Sequence, residues 1–416
     1  MNAINWLPNP RRDPLAISRQ KSLAVIESCA SQAIAENVFS FHQSIPGYCA
    51  SPLVSLSHLA SQLNLNKIWV KDESQRFDLK AFKMLGASFA MANQLKKHLG
   101  DSELPLDFNC LKQRQADYQS LEFATATDGN HGRAVAWSAH QFGCAAHVFM
   151  PKGSSTIRLN EIARYARSAQ ITEVNYDETV SHVEMLAKKN DWVLLQDTAW
   201  PGYEEIPRHI MQGYFTLIKE FEAQGEGDWP THIFLQAGVG SMAAAIAAYL
   251  VVHPNPTPKI ILVEPEKAPC FFQSMQINDG QPHRYMEDMN TIMAGLACGQ
   301  PSTIAWEILK PLCEGFVLCN DAIAIQGMRR YANPINEDAA IVSGESGAVT
   351  LGLLEALMVA PEYQCVREAL ALDENARALL LSTEGDTDPQ IYQSLVNQSL
   401  ANHPLKNQSK NNQSEN

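Results

Sequence analysis

The chain has 416 residues, 45% hydrophobic and 19% charged, the profile of an ordinary soluble globular protein. Its formal net charge of −13 argues against broad binding to nucleic acid or to an anionic membrane, while leaving room for a local phosphate pocket built from backbone amides. The longest apolar run, Met242 to Val252, falls far short of the roughly 20 residues a membrane span needs, and the N-terminus lacks an apolar signal region, so a cytoplasmic location is expected.

A chain of this length outgrows one simple core, and two lobes are the natural expectation. In chain order, a strand-like run at Lys67–Lys71 leads through a charged turn into a helix-like stretch at Met84–Leu99. Asp101–Ser120 is polar and irregular and reads as an insertion or loop. Arg133–Phe142 is helix-like, His147–Met150 strand-like, Asp177–Lys188 helix-like and Trp192–Gln196 strand-like. A helix is expected over Pro207–Glu222 and strands over His232–Gln236 and Lys259–Glu264, with an apolar helix from Met242 between those strands. A last strand falls at Ala378–Ser382. Several of these strands are apolar at their centres, as parallel strands covered on both faces are. The rhythm predicts an α/β fold of open, mostly parallel sheets flanked by helices. The Asn-, Ser- and Lys-rich end has little to bury, and residues 401–416 are expected to be disordered. Nine cysteines show neither a CxxC pair nor zinc-type spacing, which predicts free thiols and no metal site.

Four stretches carry candidate chemistry. In Lys71–Gly86 a helix begins near Phe82-Lys83; a lysine at the positive end of a helix tends toward a neutral, nucleophilic amine, although a solvated lysine is the commoner fate. In Ala124–Arg133 a glycine-flanked loop enters a helix; an N-cap at Thr127 or Asp128 explains one polar residue there, not Asp128, Asn130 and His131 together. In QAGVGSM, Gly238 and Gly240 let the backbone close around an anion and Ser241 adds a hydroxyl, though such turns also occur for packing alone. The GxGxxG of a dinucleotide site fails at Ala243, and no GxxxxGK[ST] is present. In Leu380–Asp388 a buried strand opens into a hydroxyl- and acid-rich turn. All four follow strands, where open α/β sheets bind their ligands.

Together, KDESQRF…AFKMLG, TATDGNHGRAVAW, FMPKG, QDTAWPGY, IMQGY, LQAGVGSMA, TIMAGLACG, SGESGAV and STEGDTD span roughly Phe39 to Asp388. In that order they resemble the fold-type II (tryptophan-synthase-like) pyridoxal-phosphate enzymes, most nearly the diaminopropionate ammonia-lyases. The resemblance implies a pyridoxal 5'-phosphate cofactor held as a Schiff base on Lys83. It implies Asn130 at the ring hydroxyl, Gly238, Val239, Gly240, Ser241 and Met242 around the phosphate, and Thr383 rather than Ser382 at the pyridine nitrogen. Asp78 and Lys80 stand where RFGLNAFK would have Gly and Asn, which makes Lys80 a competing lysine. The implied architecture is a large cofactor-binding lobe of residues 1–83 and 196–400, a small lobe of 84–195 with the site between them, and a homodimer.

The implied reaction is α,β-elimination of D- and L-2,3-diaminopropionate to pyruvate and two ammonia. Related dehydratases carry a small hydroxyl residue at the position of Asp128, whereas a carboxylate there pairs well with a second ammonium on the substrate. On the resemblance, Asp128 takes the Cα proton of the D-isomer and Asp197 that of the L-isomer; Asp197 also reads as a structural cap or ion pair. Glu345 either lines the site or caps the helix that follows, and Trp200 and Tyr203 either wall the pocket or pack. The alternatives are serine or threonine dehydration or D-serine elimination on the same scaffold, and a non-catalytic cofactor- or nucleotide-binding protein built on QAGVGSM.

Overall fold

A computed structural model describes residues 3–12, 20–127 and 129–397, and the tail expected to be disordered lies outside them. Strands are numbered in chain order. The larger sheet runs β1 (Ile4–Pro8), β10 (Cys313–Cys319), β9 (Lys259–Pro265), β8 (His232–Gln236), β11 (Arg377–Ser382), β3 (Lys67–Asp72), β2 (Leu53–Ser55). Its two edge strands pair antiparallel and its inner strands pair parallel. The smaller sheet is wholly parallel, in the order β6 (Ser168–Ile171), β5 (Ala145–Met150), β4 (Glu122–Ala126), β7 (Val193–Leu194). This is the α/β fold of mostly parallel, helix-flanked sheets that the sequence implies.

The inner strands are apolar because both faces are covered. Along β11, Leu379 and Leu381 join a core shared with the helices Lys83–Leu99 and Ser241–Val252. Ala378 and Leu380 point the other way, into a core with the helices Asp321–Ala332 and Glu345–Val359. A period of two thus feeds two cores from one strand.

Two expectations give way. The stretch 101–120 contains the short helices Phe108–Gln113, capped by Asp107, and Gln115–Tyr118, because Phe108, Leu111 and Tyr118 are buried. The helix expected over Pro207–Glu222 is two, Glu205–Gly213 and Phe215–Gln224, broken at Tyr214. At that break Gly213 packs so tightly that a Cβ on it would lie 2.4 Å from the Leu85 carbonyl oxygen. The nine cysteines are all free, and among the described residues no helix is long and apolar enough to cross a membrane.

Four buried charges close the carboxyl end of β3. Arg76 donates to Glu73 at 2.8 Å and to Glu220 at 2.7 and 2.8 Å, and Lys71 pairs with Glu220 at 2.6 Å. The chain then turns through Phe77, Asp78 and Lys80 with φ of +48°, +57° and +56° before the Lys83 helix begins. Asp78 and Lys80, the two departures from the family pattern, are therefore both left-handed, the conformation that Gly and Asn adopt most easily. Glu220→Ala would leave Lys71 and Arg76 buried without half of their counter-charge. It is expected to destabilise the protein by about 3–5 kcal/mol, read as a lower urea midpoint at unchanged slope. A loss of only a few tenths, about that of a surface pair, would mean that the four charges are not a unit.

Candidate active site

Residues following β3, β4, β5, β7, β8 and β11 line one cavity of about 690 Å³. Lys83 begins its helix, lines this cavity, and donates from Nζ to Asp197 Oδ2 at 2.5 Å. Lys80 is not among the lining residues; its Nζ pairs with Asp386 at 2.7 Å, half-exposed. The left-handed backbone of the turn thus separates two lysines only three positions apart.

Asp197 follows β7 and is 6% exposed. Burial alone would raise its pKa, but the charges of His131 and then Lys83 outweigh burial and hold the carboxyl at about 2. His131 is fixed by donating from Nε2 to the Leu195 carbonyl at 2.8 Å, which leaves Nδ1 3.8 Å from Asp197 Oδ2. Asp128, three residues before His131, lies outside the described residues. Asn130 begins the helix Asn130–Phe142 and donates from Nδ2 to Glu384 Oε2 at 2.6 Å.

Gly238 through Met242 line the cavity and lead into the helix Ser241–Val252. Gly240 has φ +88°, and a Cβ on it would lie 2.4 Å from the Phe271 ring; one on Gly238 would lie 2.9 Å from Cys298 Sγ. Position 240 therefore requires glycine and Gly238 is crowded, and the turn keeps a helix N-terminus open to an anion. Ser241 ties the turn to the neighbouring lining by donating from Oγ to the Asp197 carbonyl at 2.8 Å.

Thr383 lines the cavity and accepts at Oγ1 from Gln236 Nε2 at 3.1 Å, which leaves its own hydroxyl hydrogen to donate. Ser382 is fully buried with its Oγ on Ser343 at 2.9 Å, away from the lining. Glu345 both lines the cavity and opens its helix. Burial, reinforced by the charge of Glu384, pushes its carboxyl up to about 7. Trp200 and Tyr203 do not line the cavity; they stack on each other at 4.3 Å. The lining also includes Tyr214, Tyr176, Arg158 and Glu384, which residue chemistry alone did not single out, although Tyr214 and Glu384 stand in the IMQGY and STEGDTD stretches.

A family model described as "Pyridoxal-phosphate dependent enzyme" matches residues 45–366. Diaminopropionate ammonia-lyase of Salmonella typhimurium is 46% identical over 370 residues, 87% of this chain and 92% of that protein. The chain belongs to the diaminopropionate ammonia-lyase family of fold-type II pyridoxal-phosphate enzymes. The holo crystal structure of the Escherichia coli diaminopropionate ammonia-lyase superposes with a TM-score of 0.86 at 42% identity, covering 94% of this chain and 96% of that one. The same E. coli enzyme with an aminoacrylate–PLP azomethine intermediate superposes at 0.82 with 41% identity and the same coverage.

Pyridoxal phosphate, the family's cofactor, fits the residues present. The crowded glycine turn suits a phosphate, the Thr383 hydroxyl retains a hydrogen to donate, and Lys83 lines the same cavity.

The buried carboxyls set a pH dependence. Glu345 has a folded pKa near 7 against an ordinary 4.5, so between those values the folded state holds more protons than the unfolded state. Its contribution is therefore most favourable below that window and is lost as pH rises through it. Glu264, pushed up to about 8 by burial, acts in the same sense. Glu345→Gln is expected to flatten the fall in urea midpoint between about pH 5 and 7; an unchanged slope would contradict the raised carboxyl.

Proposed function

We propose that the protein catalyses α,β-elimination of D- and L-2,3-diaminopropionate, with one water consumed, to pyruvate and two ammonia. The observation that carries this reading is Lys83, held by Asp197 in a cavity that also presents the glycine turn, Asn130 and Thr383. Family membership supports the substrate.

Lys83 would hold the cofactor through its ε-amine, the amides of Gly238, Val239, Gly240, Ser241 and Met242 its phosphate, Asn130 its ring hydroxyl and Thr383 its pyridine nitrogen. When bound, the cofactor supplies the electron sink. A hydroxyl at the pyridine nitrogen holds a proton there less firmly than a carboxylate would, which suits an elimination in which the leaving group departs as the Cα proton is lost. The chain's own groups move the protons. Asp197, ionised well below neutrality, takes the Cα proton of the L-isomer. The matching role of Asp128 for the D-isomer is carried from the family resemblance. For the L-isomer that proton passes from Asp197 to its hydrogen-bond partner Lys83 Nζ and on to the departing amine.

Residues 1–83 and 196–400 are assigned to a large cofactor-binding lobe and 84–195 to a small one, a division supported by the strands of the smaller sheet all falling between 122 and 194. The family resemblance supports a homodimer. The net charge of −13 argues against nucleic-acid and anionic-membrane partners, and family membership supports a small amino-acid substrate.

Pyruvate release should be faster from either isomer of diaminopropionate than from serine or threonine; the reverse order would reassign the enzyme as a dehydratase. Borohydride reduction and peptide mapping should tag Lys83, and a tag on Lys80 would overturn the lysine assignment. Asp197→Asn is expected to lower kcat for the L-isomer on the order of 10²-fold or more while largely sparing the D-isomer. Equal losses for both isomers would end the division of labour.

A further inference from the structure

Glu384 sits in the turn after β11, 4% exposed, with its two carboxylate oxygens engaged separately. Oε1 accepts from the Ser346 N–H at 3.1 Å, at the start of the helix Glu345–Val359. Oε2 accepts from Asn130 Nδ2 at 2.6 Å. The Glu384 segment also lies close against the backbone at Gly344. A Cβ on Gly344 would lie 2.9 Å from Glu384 Cγ, and the Gly344 N–H donates to the Glu384 carbonyl at 2.9 Å. The chemistry proposed above makes no use of this carboxylate.

An asparagine amide has a donor end and an acceptor end of nearly equal shape, so a half-turn exchanges them at little steric cost. A carboxylate only accepts, and it therefore decides which end faces it. With Oε2 taking one Nδ2 hydrogen, the amide keeps its second hydrogen for the cavity that Asn130 lines. We infer that Glu384 is a positioning residue that locks the Asn130 amide with its NH2 group, not its carbonyl, available to the ring hydroxyl of the cofactor. In this role it acts through Asn130, although its side chain also borders the cavity. The inference rests on the role proposed for Asn130.

Glu384→Gln separates this role from a merely structural one. The glutamine carbonyl can keep the bond from the Ser346 N–H, which places the new NH2 against the NH2 of Asn130. Two donors face each other, and the asparagine amide must turn over. The measurement is a double-mutant cycle on the dissociation constant of pyridoxal phosphate from the apoprotein, together with the position of the visible band of the bound cofactor. Glu384→Gln is expected to weaken binding about tenfold, the size of one lost hydrogen bond, and to move the band. Asn130→Ala should weaken binding at least as much, and adding Glu384→Gln to it should change neither readout further. Glu384→Ala, which frees the amide without opposing it, should move both readouts in the same direction by less, and serves if the glutamine variant does not fold. Losses that multiply in the double variant, or a Glu384→Gln protein with unchanged affinity and band, overturn the positioning role alone. If Asn130→Ala itself leaves affinity and band unchanged, the assignment of Asn130 to the cofactor fails, and the inference with it.

Discussion

Lys71, Glu73, Arg76 and Glu220, two cations and two anions out of contact with water, hold the turn from which Lys83 emerges. Burying any one alone would cost several kcal/mol, so the four are stable only together and fix the chain that carries them. From this anchor the backbone leaves β3 through three left-handed residues, each disfavoured by roughly 1–2 kcal/mol for a side chain with a Cβ. The turn after β11 offsets that strain. Gly385 N–H donates to the Lys80 carbonyl at 2.9 Å, Phe82 N–H to the Thr383 carbonyl at 3.2 Å, and Lys80 pairs with Asp386. The segment bearing Lys83 and the segment bearing Thr383 and Glu384 are thus one clamp. Their relative position follows from backbone bonds rather than from the cofactor.

Close helix packing completes the placement of the lysine. Gly213 lies against the backbone of Leu85 and Gly86, and a Cβ on Gly86 would meet the Tyr214 ring at 2.7 Å. The helix break at Tyr214 turns that ring toward Phe82, with centroids 4.8 Å apart, so that it forms a wall of the cavity beside Lys83. Two glycines and one interrupted helix therefore let the chain approach the lysine more closely than side-chain packing would permit.

The inner strands β3, β5, β8, β9 and β11 were legible in the sequence because burial on both faces leaves an apolar run, whereas two other inner strands, EFATA of β4 and CEGFVLC of β10, do not read as strands. The edge strands that also escaped notice have weaker patterns: SAQI of β6 is half-buried at best, and INWLP of β1 has only its first residue buried. The stretch 101–120 reads as a loop because its few apolar residues are scattered among polar ones, and only tertiary contact shows that Phe108 and Tyr118 are buried. Within the site, residue chemistry alone could not choose between Lys80 and Lys83, since the choice depends on the handedness of the backbone between them. Glu384 illustrates the same limit. Its presence in STEGDTD is plain, but its partner is 254 positions away in the chain.

The carboxyls of the cavity show why a list of acids does not define their roles. Asp197 and Glu345 are both 6% exposed, and in both burial is the largest influence on the carboxyl and pushes it upward. Their fates differ because of their neighbours. His131 and Lys83 beside Asp197 reverse the push and leave a carboxylate at about 2, whereas Glu384 beside Glu345 adds to it and brings that carboxyl to about 7. One cavity therefore holds a carboxyl lowered well below neutrality and another raised toward it. Here the separation comes from which charges the strand ends bring together, not from the identity of the acids.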